Sequence, residues 1–208
     1  MNKQILAGLG VLMVVLVAVA VYVTNNLNDL IVEAVEAFGA PVTQTEVKLE
    51  SSDISFFSGE GTLNGLLIGN PEGYTGTSAF ELGSLQVVLN SESSGDDVAV
   101  IKSIDIANPI ITYESGGQAG SNLQQILENI AGFQGGGPKI VIDRVTISDG
   151  QIKIVTPLSG DGLSAPLPTI ELTGIGREDG GITPEEAFRM VMEKIVAQVQ
   201  DITSRTED

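Results

Sequence analysis

The chain has 208 residues, with ten basic residues against 27 acidic ones and with neither histidine nor cysteine. A net charge of −17 argues against a nucleic-acid ligand, because proteins that bind nucleic acids carry basic surfaces. The lack of histidine and cysteine argues against the usual nucleophile-and-base pairs and against zinc and most transition-metal sites. Without disulfides, a domain of this size must rely on its hydrophobic core.

The first predicted element is a membrane-spanning helix from Ile5 to Val23, an apolar run without any charged residue. At 1.5 Å per residue its length is about 28 Å, close to the hydrocarbon thickness of a bilayer. The alternative is a cleaved signal peptide, since Ala18–Ala20 has the small-residue form of a cleavage site. The run continues to Tyr22, where an interfacial aromatic residue is expected, so we favour an uncleaved anchor.

Charge predicts the orientation of this anchor. Lys3 precedes the helix, whereas the first acidic residue after it is Asp29. The positive-inside rule then places the N-terminus in the cytoplasm and the chain after Thr24 on the other side of the membrane. That part carries nine basic and 27 acidic residues, a net charge of −18, which also argues against electrostatic docking on anionic lipid.

A helical stripe follows the anchor and divides the rest of the chain. Apolar residues recur at helical spacing from Leu27 to Phe38, and Gly39 and Pro41 are expected to end the helix. We therefore divide the chain into the start and anchor (1–26), an amphipathic helix (27–40), a β-sheet domain (41–180) and a C-terminal amphipathic helix with a polar tail (181–208).

The central part reads as short strands with one helix. Alternating apolar and polar residues, separated by Gly, Asn, Pro and Asp, are typical of half-buried antiparallel strands. Ser121 is suited to cap a helix that contains Leu123, Ile126 and Ile130. The predicted strands are Thr45–Leu49, Gly61–Ile68, Ser84–Leu89, Val98–Ile106, Ile110–Tyr113, Ile140–Ile147, Gln151–Val155 and Thr169–Ile175.

Three segments share a weak internal repeat: "LLIGNP" at Leu66, "IDIANP" at Ile104 and "VTISDG" at Val145. Their offsets are 38 and 41 residues, which is the range of repeat architectures, although chance similarity among strand ends is the alternative. A two-residue turn at Asp149–Gly150 predicts a hairpin, and a less regular turn is expected at Asn108–Pro109.

This hairpin pairing places several apolar side chains on one face of the sheet. They form a candidate apolar trough. Its predicted members are Leu66, Ile68, Ile104, Ile106, Ile111, Tyr113, Val145, Ile147, Ile152 and Ile154.

The glycine-rich stretch from Gly59 to Gly69 does not read as a phosphate loop. The third glycine of a dinucleotide fingerprint comes one residue late, and no helix follows to present its N-terminus to a phosphate. Glycines here more simply relieve bends or bulges in a sheet.

The acidic pairs Asp96–Asp97 and Glu185–Glu186 read as a solvated loop and a helix first turn. We expect neither an enzyme nor a cofactor.

The C-terminal helix is signalled by Thr183, Pro184 and Glu186, which supply an N-cap, a first-turn proline and a capping-box acid. Its apolar stripe runs from Phe188 to Ile202. Because an isolated helix of this kind is marginal in water, the stripe must pack on something. The candidates are the sheet, the Leu27–Phe38 helix, a second copy and the membrane surface, and we expect the stripe to pack on the sheet.

Four segments together resemble the AsmA-like proteins of Gram-negative bacteria. They are "VKLESSDISFFSGEGTLNGLLIGNPEGY", "FELGSLQVVLN", "VIKSIDIANPIITYE" and "IDRVTISDGQIKI", and the similarity covers roughly Val47 to Ile175. The resemblance implies a single-pass inner-membrane anchor and a periplasmic sheet that curls into an apolar trough. Large members resemble chorein-type bridges that pass phospholipid between membranes, but three repeats are too few to cross a periplasm.

The expected fold is therefore α+β and mainly β: an N-terminal transmembrane helix and a curved antiparallel sheet with two or three amphipathic helices. The expected function is a membrane-anchored module that shelters lipid acyl chains and assists envelope lipid transport or outer-membrane assembly. The alternative is a structural protein that assembles membrane complexes without lipid cargo. Expected partners are membrane lipid, a second copy or an envelope protein, and no nucleic acid.

Overall fold

The computed structural model of the chain describes residues 27–55, 58–90, 98–116, 120–133, 138–156 and 159–206. The described part is mainly β, with an open sheet and three helices, α1 (Leu27–Thr43), α2 (Asn122–Gly132) and α3 (Pro184–Thr206). The strands are β1 (Val47–Lys48), β2 (Ser51–Ser55), β3 (Glu60–Gly69), β4 (Ser78–Leu89), β5 (Val98–Ala107), β6 (Ile110–Glu114), β7 (Lys139–Ser148), β8 (Gly150–Thr156), β9 (Ser159–Leu167) and β10 (Ile170–Ile175).

The sheet is mixed, so the prediction of a wholly antiparallel sheet was wrong. Strand β5 lies parallel to β7, and β6 lies parallel to β8. All other pairings are antiparallel. Parallel neighbours require a crossover connection, and here helix α2 lies in the connection from β6 to β7.

Neither predicted hairpin exists, because the chain continues in the same direction through both turn sequences. A type I′ hairpin turn needs positive φ at both central residues. Asp149 has φ of 55° and Asn108 has φ of 53°, but neither Gly150 nor Pro109 has positive φ. Strands β5 and β6 are therefore two halves of one long strand, as are β7 and β8, and Ile147 does not face Ile152 across a hairpin.

The 41-residue offset of the repeat is instead the register of the parallel pair. Ile104 lies beside Val145 and Ile106 beside Ile147, while Ile111 lies beside Ile152 beyond the turn sequences. Two backbone hydrogen bonds keep the long strands together between these pairs: Asn108 N–H donates to Ser148 O at 3.0 Å, and Gln151 N–H donates to Pro109 O at 2.8 Å.

A transverse row of irregular positions, here called the crease, crosses the whole sheet. The pairings on either side align one residue of each long strand: Glu50, Gly65, Gly83, Asn108, Asp149 and Pro168. Three of the six, Gly65, Asn108 and Asp149, have positive φ, which Gly, Asn and Asp tolerate best. A Cβ at Gly65 would also meet the side chain of Glu50.

The crease switches which residues face the core. Along β5–β6 the residues lining one apolar surface are Ile104, Ile106, Pro109 and Ile111, so the spacing changes from two to three at the crease. A bulge in one strand would break its register with the next. Here every long strand changes at the same row, so the register is kept and one face stays apolar along its full length.

Helix α1 packs along the outer edge strand β1–β2 and accepts hydrogen bonds from two of its backbone amides. Ile54 N–H donates to Asn28 Oδ1 at 3.3 Å, and Leu49 N–H donates to Glu36 Oε1 at 3.2 Å. The predicted end of this helix at Gly39–Pro41 was wrong, since α1 continues to Thr43. Gly39 serves close packing instead, because its absent Cβ would meet Val47 Cγ1 at 2.8 Å.

Within the described residues, none of the helices combines the length and the apolarity needed to cross a membrane. The predicted anchor Ile5–Val23 lies outside the described residues.

Candidate functional site

The candidate site is a cavity between the creased sheet and helix α3. Its volume is about 100 Å³, it is partly open to the surface, and its lining is apolar. The sheet contributes Leu66, Ile68, Phe80, Leu82, Leu85, Val87, Ile104, Ile106, Pro109, Ile111, Ile142, Val145 and Ile147. Helix α3 contributes Pro184, Ala187, Phe188, Val191, Met192 and Ile195.

Seven of the ten predicted trough residues line this cavity, namely Leu66, Ile68, Ile104, Ile106, Ile111, Val145 and Ile147. The other three are Tyr113, Ile152 and Ile154, which lie further along the same strands and outside the lining. Ile152 and Ile154 are buried in the core cluster and Tyr113 packs against it. Whether any of the ten holds a ligand stays a prediction.

Helix α3 is positioned by its N-terminal cap and by a bridge to the sheet. Thr183 N–H donates to Glu186 Oε2 at 3.0 Å, and Glu186 N–H donates to Thr183 Oγ1 at 3.4 Å, which is the predicted capping box. Ile182 and Ile140 exchange two backbone hydrogen bonds at 2.8 and 3.0 Å. The predicted packing of the stripe on the sheet is confirmed, and the packed stripe includes Ala187, Met192 and Val199, each at most 2% exposed.

The space beneath α3 is partly unfilled where a small side chain of the helix faces larger side chains of the sheet. Ala187 has the smallest side chain of the lining and is 1% exposed, so it points inward without filling the space. Lining residues from both sides of the crease, such as Ile106 and Pro109, share the opposite wall. A residual void of this kind costs stability, roughly 24 cal/mol per Å³ in large-to-small core substitutions.

No lining residue is titratable or polar, so the cavity offers no acid, base, nucleophile or metal ligand. Among the described residues, no group of three or more acidic side chains is arranged to hold a metal ion. The arrangement can therefore do one thing chemically, which is to bury an apolar group away from water.

A second region, the polar cluster, lies where the β3–β4 connection meets the end of β6. It consists of Asn70, Thr75, Gly76, Glu114 and Asn122. The Glu114 carboxylate accepts hydrogen bonds from Thr75 N–H at 2.8 Å, from Gly76 N–H at 3.0 Å and from Thr75 Oγ1 at 2.9 Å. These bonds tie the connection to β6, although the sequences lie far apart.

Asn122 completes the cluster from the first turn of α2. It is fully buried, and its Nδ2 donates to Asn70 Oδ1 and to Thr112 O, each at 2.7 Å. Its Oδ1 accepts from Glu114 N–H at 2.9 Å. The predicted cap of this helix is confirmed, since Gln124 N–H donates to Ser121 Oγ at 3.2 Å.

The pKa of Glu114 shows how completely its charge is satisfied. Burial acts to raise this pKa, but hydrogen bonds from the Thr75 and Gly76 backbone outweigh it and hold the pKa below the ordinary value of 4.5. Glu114 is therefore a charged structural residue at neutral pH.

Sequence reasoning missed two parts of these regions. The α3 residues of the stripe were expected to pack, but their role as one wall of the cavity was not foreseen, and Phe80, Leu82, Leu85, Val87 and Ile142 were not placed in the trough. The polar cluster was missed entirely. Its available signal was a buried-type position occupied by Glu at the end of an apolar strand, "IITYE", followed eight residues later by Asn122.

The chain was compared with family models, curated proteins and solved structures, and no match was found in any of the three.

Proposed function

We propose that this protein is a non-enzymatic, membrane-anchored module that shelters part of a lipid acyl chain between its creased sheet and helix α3. The observation that carries the proposal is the cavity, because its lining is apolar and lies on the face where the trough is predicted. The uncharged run Ile5–Val23 supports an anchor, and the resemblance to AsmA-like proteins supports the bacterial inner membrane, with a periplasmic domain that assists envelope lipid transport or outer-membrane assembly.

The volume of the cavity limits what it holds. At about 100 Å³ it is smaller than the roughly 300–1,000 Å³ of ordinary ligand pockets. It corresponds to about three groups the size of a water molecule, whose share of liquid volume is about 30 Å³. A whole acyl chain therefore needs either space outside the cavity or movement of α3.

Displacing α3 completely is energetically costly. Met192, Val196 and Val199 are each at most 4% exposed, and burying each side chain contributes about 1.5–3 kcal/mol. Losing these contacts would consume much of the roughly 5–15 kcal/mol that stabilises a typical domain. A ligand is thus expected to use the existing space rather than to replace the helix.

The same small volume favours a second candidate function, a structural module that assembles envelope complexes without lipid. In that case the cavity is a packing defect. The sheet and helices then form a closed core whose outer surface meets a second copy or an envelope protein.

Native mass spectrometry of the full-length protein, purified from bacterial membranes in mild detergent, separates the two candidates. The shelter predicts bound lipid in the wild type and loss of that lipid in Ala187→Leu, which fills the cavity. Met190→Leu is the matched control, since Met190 lies on the same helix but is 40% exposed and outside the lining. A wild type that carries no lipid under conditions that keep it folded would reject the shelter and leave the structural module.

A further inference from the structure

We infer that the cavity is a preformed site for the methyl end of a hydrocarbon chain, that it selects the chain and not the head group, and that Ala187 keeps it open. This inference rests on the proposed function and specifies its ligand. It specifies which part of the chain enters the existing space beneath α3.

The chemistry of the lining defines the ligand class. With no polar lining residue, the cavity provides no partner for a phosphate, a glycerol ester or an amine. Burying such a group without a hydrogen bond is strongly unfavourable. The head group must therefore stay outside, and only the apolar end of a chain gains by binding.

Part of the cavity lining reaches the protein surface. Four lining residues keep partial exposure, Leu82 and Ile106 beside the crease and Phe188 and Val191 on α3, whereas other lining residues such as Ile147 and Met192 are fully buried. These four side chains mark the boundary between the cavity and the surface. A chain end that passes them reaches the buried walls without breaking any hydrogen bond of the sheet.

The size of the cavity sets the depth of insertion. An engineered apolar cavity of about 150 Å³ stays dry and binds benzene or xenon. At about 100 Å³, the present cavity is suited to a xenon atom or to about three carbon groups. Burial of so few groups gives only weak binding, so the site contributes chain selection while the remaining length of the chain stays in its membrane or detergent environment.

Ala187 is the residue that controls this site. A leucine at this position fills most of the space from the helix side and keeps high helix propensity. The variant is therefore expected to fold, and its melting temperature verifies that it does.

The test uses the full-length protein in detergent with ¹³C-labelled isoleucine methyl groups, measured by NMR under xenon pressure. The inference predicts xenon-induced shifts at the lining residues Ile104, Ile106 and Ile147 in the wild type. Ile31 and Ile126 are buried but do not line the cavity, so they report xenon dissolved elsewhere. In Ala187→Leu the shifts of the lining methyl groups should fall to the level of these two controls.

Two results overturn the inference: lining shifts no larger than those of Ile31 and Ile126, or shifts that Ala187→Leu leaves unchanged. Mass spectrometry of co-purified lipid adds a second arm. Head groups in the proportions of the source membrane support chain selection, whereas enrichment of one head group contradicts it. Xenon binding without any retained lipid would reject the shelter and restrict the cavity to small apolar guests, so the two failures are distinguishable.

Discussion

The cavity and the polar cluster belong to the same fold but differ in packing and in polarity. The cavity has apolar walls, volume left over and no hydrogen-bonding groups. In the polar cluster, Glu114 and Asn122 are buried but every bond is made, and none of the buried side-chain nitrogen or oxygen atoms in the described residues lacks a partner. Leftover volume is therefore tolerated here, whereas an unpaired polar group is not.

This difference indicates which of the two regions is suited to bind a ligand. Filling or emptying an apolar space changes the free energy of unfolding gradually, so an apolar site is compatible with a bound and an empty state. A hydrogen-bonded polar cluster contributes much less to stability when one member is removed. We accordingly assign binding to the cavity and rigidity to the polar cluster.

The largest effect is expected from placing a charge in the cavity wall. Ile147→Asp puts a carboxylate at a position that is 1% exposed, where no partner is present, and should destabilise the domain by more than about 4 kcal/mol or unfold it. Urea denaturation followed by circular dichroism measures this. Ile147→Val is the control and should cost about 0.5–1.5 kcal/mol. A folded Asp variant of near wild-type stability would mean that water reaches this wall.

Removing the centre of the polar cluster is expected to rank second. Asn122→Ala deprives Glu114 N–H and Thr112 O of their partner, and we expect a loss of about 2–4 kcal/mol because each unsatisfied buried group costs about 1–3 kcal/mol. Asn64→Ala is the control, since its side chain makes only an exposed 3.5 Å contact with Ser51. Equal effects of the two substitutions in urea titrations would contradict the assigned rigidity.

The contribution of the Glu114 charge to the stability of the polar cluster is expected to depend on pH. Since its pKa is lowered in the folded state, its contribution is complete above the unfolded pKa and is lost as the pH falls through the folded pKa. Glu114→Gln should cost about 1.5–3 kcal/mol at neutral pH, and the gap to the wild type should shrink below about pH 4.5. A gap that stays constant from pH 7 to pH 3 would show that the charge of Glu114 contributes nothing.

The sequence predicted the local elements of this fold better than their pairing. The capping residues Ser121 and Thr183 act as expected because they depend on neighbours within one turn. The Asp149–Gly150 hairpin failed because an Asp-Gly pair is compatible both with a type I′ turn and with a single left-handed residue in a continuing strand. Only the neighbouring strands, which carry Asn108 and Pro168 in the same row, decide between them.

The candidate site was predictable in part for the same reason. Apolar spacing identified residues such as Ile104 and Ile147, since two-residue periodicity holds on each side of the crease. It could not assign Phe80 or Leu85, because the wall of a cavity depends on register between distant strands. The role of Glu114 could not be predicted from the sequence, because its partners, Thr75 and Gly76, lie 39 and 38 residues away.

The crease itself is tested by changing a residue that needs positive φ. Asn108→Val places a β-branched side chain at φ of 53° and should cost about 1–2 kcal/mol. Asn108→Gly should be close to neutral at this backbone conformation. Lys102→Val is the control on the same strand, where the side chain is exposed. If the three variants unfold at the same urea concentration, Asn108 does not constrain the sheet.

The smallest expected change in the free energy of unfolding comes from filling the cavity, compared with the same substitution in a closely packed part of the core. Ala187→Leu should raise the free energy of unfolding by about 0.5–2 kcal/mol, because cavity filling buries new apolar surface. Ala79→Leu is the matched control. Ala79 is fully buried but does not line the cavity, so the same substitution there should destabilise by about 1–3 kcal/mol through overpacking. Thermal and urea unfolding of both variants measure the difference in sign. If Ala187→Leu destabilises as much as Ala79→Leu, the space beneath α3 is already filled in solution, and its binding role loses its physical basis.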